Sequence, residues 1–105
     1  MEKGIIWVGS SLEDIRDSPK NAAKEMDYNL NLVQNGETPD DWKTMRTIGT
    51  GVKELRVHLK SEYRTIYVAN RKNAIYVLHC FVKKTKRTAD KELQLARMRL
   101  KEIPK

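Results

Sequence analysis

The chain has 105 residues, enough for one domain and one core. A third of its residues are charged, the formal net charge is +7, and Cys80 is its single cysteine. These figures exclude an internal disulfide and a multi-cysteine zinc site, and no apolar run approaches the roughly 18 residues of a membrane span.

The charge is unevenly spread. Residues 1–42 hold nine acids and four bases, a net of −5, while residues 43–105 hold five acids and seventeen bases, a net of +12. A basic surplus confined to one part of a chain is the electrostatic footprint of a nucleic-acid partner.

The opening "MEKGIIWVGSS" has an acid and a base before a short apolar run, unlike a signal peptide, so a cytoplasmic location is expected. "GIIWV" (4–8) predicts a strand. Ser10 or Ser11 can cap a short helix with Glu13 and Asp14 in its first turn. A stronger helix follows, with Ser18 suited to the N-cap and Pro19 to the first helical position. Its apolar face is Ala22, Met26, Leu30 and Val33, and Asn35-Gly36 ends it.

Residues 37–51, with Pro39, Gly49 and Gly51, lack a clear period and read as a connector. From Val52 the period is two. Val52, Glu54, Arg56 and His58 share one face; Lys53, Leu55, Val57 and Leu59 share the other, which should meet helices. "YRTIYVA" (63–69) and "AIYVLHCFV" (74–82) are two further strands, the last apolar on both faces as a central strand would be. Thr88 can cap a final helix whose stripe is Leu93, Ala96, Leu100 and Ile103, with Pro104 as its stop. The predicted order is β-α-α-β-β-β-α, an α+β domain with an antiparallel meander.

No metal-ligand spacing appears. The histidines are 21 residues apart, with no carboxylate cluster near either in sequence. Neither a phosphate-binding glycine loop nor a nucleophile elbow is present. What remains is a set of bases on adjacent strands, Arg56, His58, Arg64, Lys83 and Lys84, accompanied by Tyr63, Tyr67 and Tyr76. Guanidinium and ammonium groups match the non-bridging oxygens of a phosphodiester. A His or a lysine of lowered pKa can carry the proton, so RNA cleavage through the 2′-hydroxyl is open to such a set without a metal. His79, Trp7, Tyr67, Tyr76 and Cys80 read as core, and Trp42 as closing the core with Met45 and Ile48.

"GTGVKELR" (49–56), "YRTIYVA" (63–69) and "YVLHCFVKKTKRT" (76–88), followed by a helix, resemble the phage-derived HigB-like toxins of the RelE/ParE superfamily. The opening helices extend the resemblance over nearly the whole chain. It implies a RelE-like fold and a type II toxin that cuts mRNA in the ribosomal A site, neutralised by a cognate helix-turn-helix antitoxin. It implies no small-molecule cofactor, no metal and no membrane partner. By position, Arg64 resembles the family's phosphate-gripping arginine and Arg56 a basic position on the preceding strand. Lys84 resembles its charge stabiliser or general acid, with Lys83 as the alternative. Lys86, Arg87 and Arg46 are taken as further RNA contacts. The resemblance departs at "TADKELQLARMRL" (88–100), where family members carry a Tyr or His, so His58 or a lysine is the substitute general base. Two other functions fit the same pattern: a gyrase inhibitor of the ParE branch, and a basic nucleic-acid-binding module without activity.

Overall fold

A computed structural model describes residues 3–104. In chain order its elements are β1 (Gly4–Trp7), α1 (Ser11–Arg16), α2 (Lys20–Gln34), β2 (Trp42–Thr44), β3 (Val52–His58), β4 (Glu62–Val68), β5 (Ala74–Lys83) and α3 (Asp90–Glu102). The five strands form one mixed sheet, ordered β1-β5-β4-β3-β2. β1 runs parallel to β5, and every other pair is antiparallel. This is an α+β fold compatible with the RelE-like layout.

The strand alternation decides which helix covers which face. Leu55 and Val57 of β3 join Tyr63 and Tyr67 of β4 on the face that meets Ile15 of α1 and Ala22, Met26, Leu30 and Val33 of α2. Val52, Ile66, Val68 and Leu78 point the other way and meet Ala96 and Ile103, with Leu93 and Leu100 of α3 partly buried beside them. Each Leu or Met so buried contributes about 1.5–3 kcal/mol relative to exposure. β5, between β1 and β4, is buried continuously from Ala74 to Cys80, as its two-sided apolar run predicts.

α2 ends where the sequence places its stop. Gly36 takes φ 77°, Gly36 N–H donates to Val33 O at 3.0 Å, and Glu37 N–H donates to Leu32 O at 2.8 Å. This is a Schellman closure, which needs a residue tolerant of positive φ. The helix starts are displaced by one residue from expectation. Pro19, not Ser18, is the N-cap of α2, because the Ser18 hydroxyl turns back to donate to Asp14 O at 2.9 Å. Ala89, not Thr88, is the N-cap of α3, and neither cap supplies a side-chain hydrogen bond.

The connector over 37–51 is not structureless. Its residues Trp42–Thr44 form β2, the edge strand paired with Lys53–Leu55. Trp42 does not close the core: it is 38% exposed, with Lys53 Nζ 4.7 Å from its ring centroid. Met45 and Ile48 are buried, as expected. Among the described residues no helix is long and apolar enough to cross a membrane.

Candidate functional site

α3 covers only one end of its face of the sheet. The rest carries three cross-strand rows fixed by register. Glu54, Ile66 and His79 form the row nearest the core; Arg56, Arg64 and Phe81 form the next; His58, Glu62 and Lys83 form the outermost. The register thus brings together Arg56, Arg64, His58 and Lys83. It also adds Glu54, Glu62 and Phe81, which sequence reasoning did not select.

Arg56 and Arg64 are like charges placed directly opposite, an arrangement that is unfavourable unless compensated. Glu54 compensates it. Its Oε1 lies 3.2 Å from Arg56 Nε and 3.5 Å from Arg64 Nε, and its side chain is buried. Arg64 is not an exposed strand residue, since only 5% of it is accessible. Its Nη1 donates to Tyr63 O at 3.1 Å and its Nη2 to Glu62 Oε1 at 3.3 Å. Arg56 remains half-buried at the rim.

His58 is exposed and held on both sides. Nδ1 lies 2.6 Å from Glu62 Oε1, and Nε2 lies 2.5 Å from Asp41 Oδ2. Carboxylates therefore do stand at this histidine, contrary to the sequence reading. They are brought in by the β3–β4 turn and by the residue just before β2. These hydrogen bonds, Asp41's first, push His58 above the ordinary imidazole value. The same bonds hold Asp41 and Glu62 below the ordinary carboxylate range. Two acceptors suit an imidazolium, which has two N–H donors. The two acids meet opposite ring nitrogens and do not converge on one point; among the described residues no His, Cys, Asp and Glu group is placed to hold a metal ion.

The basic cluster continues from this face. Lys83 is half-buried at the end of β5; Lys84, Lys86 and Arg87 are exposed in the turn before α3, which the Thr85 hydroxyl closes by donating to Arg87 O. Arg46 lies elsewhere. It lines a cavity with Thr44, Thr50 and Lys53, not the one formed by Lys83 and Lys84. The strand bases are thus matched by Glu54, Glu62 and Asp41, whereas no ion pair engages Lys83, Lys84, Lys86 or Arg87 among the described residues.

His79 is buried, as expected of a core histidine, but it too meets carboxylates. Nε2 donates to Glu92 Oε1 at 3.0 Å and so ties β5 to α3, while Nδ1 makes no hydrogen bond, with Asp14 Oδ2 3.8 Å away.

The model of a family described as "Phage derived protein Gp49-like (DUF891)" matches residues 13–101. The chain belongs to that family. No curated protein matches the sequence. Gp49-like proteins are related to the RelE-type toxins, and the match takes in both sides of the site of this Gp49-like protein, from α1 through the meander to α3.

Proposed function

We propose that this Gp49-like protein is the toxin of a type II toxin–antitoxin pair, acting in the cytoplasm as a ribosome-dependent endoribonuclease on mRNA in the A site. A cognate helix-turn-helix antitoxin would neutralise it. The observation that carries this reading is the in-register Arg56–Arg64 pair, with Arg56 at the rim and Arg64 buried beside it, continued by four bases that no ion pair engages among the described residues. Two guanidiniums side by side match the charge that grows on the phosphorus oxygens as the 2′-hydroxyl attacks. Lys84, with Lys83 behind it, stabilises the same charge, and Lys86 and Arg87 hold the backbone. Arg46 would touch RNA outside this face.

His58 serves this reaction best as a proton donor. Its hydrogen bonds to Asp41 and Glu62 raise its pKa and so favour the protonated ring, the form that can protonate the leaving 5′ oxygen. The carboxylates that flank it supply acceptors for the 2′-hydroxyl proton. The products are a 2′,3′-cyclic phosphate and a free 5′-hydroxyl.

One observation favours a second reading. Arg64 and His58 are both already engaged by carboxylates, as they would be in a basic module that binds nucleic acid without cutting it. Primer extension on cellular mRNA after brief induction separates the two. Discrete new 5′ ends inside translated regions are expected, and their loss in Arg56→Ala and Lys84→Ala, with antitoxin binding retained. Growth arrest with intact mRNA would overturn the nuclease and point to a gyrase-type target; no arrest would favour the binding module.

A further inference from the structure

Phe81 is the neighbour of Arg64 on the same face, one strand over. Directly opposed side chains on adjacent strands have Cβ atoms about 4.5–5.5 Å apart. One side of the Phe81 ring is stacked on His79, with centroids 5.1 Å apart and planes at 19°. Beyond it opens a cavity of about 440 Å³, also lined by Val82, Lys83, Lys84, Ala89 and Glu92. That volume lies in the range of small-ligand sites.

Three kinds of group converge there. Lys83, Lys84 and Lys91 call for an anion. Phe81 and Val82 call for a flat apolar surface. Glu92 is an acceptor held in place, because one of its oxygens takes the hydrogen bond from His79 Nε2 at 3.0 Å. A nucleotide carries an anion and a flat ring in one unit, and the phosphate row at Arg56 and Arg64 adjoins the ring's place at Phe81.

We propose that this cavity seats one base of a single-stranded RNA on Phe81 and that Glu92 makes it select bases with an exocyclic amine. The inference rests on RNA being the partner, as set out above. Adenine, cytosine and guanine can donate an exocyclic amine N–H to a carboxylate; uracil has no such amine, and its one ring donor, N3–H, is flanked by two carbonyl oxygens that a carboxylate repels. Stacking alone would not discriminate, since every base has a π-face.

The test is fluorescence anisotropy with labelled, 2′-O-methylated hexamers of A, C and U, which lack the nucleophile and cannot be cut. The wild-type protein should bind the A and C hexamers at least about fivefold more tightly than U. Glu92→Gln keeps an acceptor for His79, and circular dichroism checks its fold; it should bring that ratio close to one. Phe81→Leu should weaken all three hexamers while keeping the ratio. Equal affinities in the wild type, a preference that survives Glu92→Gln, or full affinity in Phe81→Leu would overturn the assignment. A base preference without any mRNA cleavage in cells would overturn the nuclease reading and keep the pocket; cleavage with no base preference would do the reverse.

Discussion

Arg56 and Arg64 face each other in register across β3 and β4, and one oxygen of the buried Glu54 serves both. The pair is therefore an architectural commitment as well as a candidate phosphate clamp. Removing one partner of a buried ion cluster strands the others, which costs more than the cluster's net contribution.

Glu54→Gln should accordingly lower stability by about 3 kcal/mol in urea denaturation near neutral pH. A loss below about 1 kcal/mol would mean that water, not Glu54, holds the two guanidiniums apart.

His58 should titrate above the ordinary imidazole value of about 6.5. Its folded-state pKa is raised, so its contribution to stability is fully present below that ordinary value. It is lost as pH rises through the raised one. Asp41 and Glu62 are lowered, so their share is present above ordinary carboxylate values and is lost as pH falls through the lowered ones. The stability difference between wild type and His58→Gln should shrink as pH climbs from the ordinary imidazole value through the raised one. A proton NMR midpoint for His58 at or below 6.5 would contradict this.

The unengaged bases should govern the salt dependence of RNA binding. Lys84→Ala and Arg87→Ala should each reduce the slope of log affinity against log salt by about 0.7, the value for one phosphate contact on a single strand. An unchanged slope in both variants would move the phosphate contacts to another face.

Cys80 is buried, and that burial pushes its thiol up to about 12. It sits between Thr65 Oγ1 at 3.2 Å and Met26 Sδ at 3.3 Å. Thiol reagents should label it only as fast as the protein unfolds, with the rate rising in urea. Rapid labelling of the native protein would show that the α2 side of the sheet opens locally.

Most of the fold was legible because its signals are periodic. The alternation from Val52, the apolar face of α2 and the Asn35-Gly36 stop are local patterns with one structural solution each. β2 was not legible: three residues between Pro39 and Gly49 are too few to show a period, and Trp42 read as core because its size suits one. In the site, the bases and the face of Glu54 were legible, and the acids that hold His58 were not. Glu54 shares the alternation of Arg56 and His58, and that spacing alone places it on their face. Asp41 and Glu62 reach His58 only through register and turn geometry, which no single segment encodes. Arg64 reads from its motif as a phosphate-gripping arginine, and nothing local shows that Glu54 and Glu62 enclose it.

The parallel pairing of β1 with β5 sets an order of events. Gly4–Trp7 lies against Ala74–Val77, with each residue paired to one 70 positions later in the sequence. During synthesis, the first strand must wait for the last before its own edge of the sheet is settled, whereas the β2 edge needs only β3. Glu54, Arg56 and Arg64 precede β5 in the chain, whereas Phe81, Lys83 and Lys84 belong to it or follow it. The face that gathers them is thus absent from every nascent fragment and comes into being only once β5 has left the ribosome that makes it.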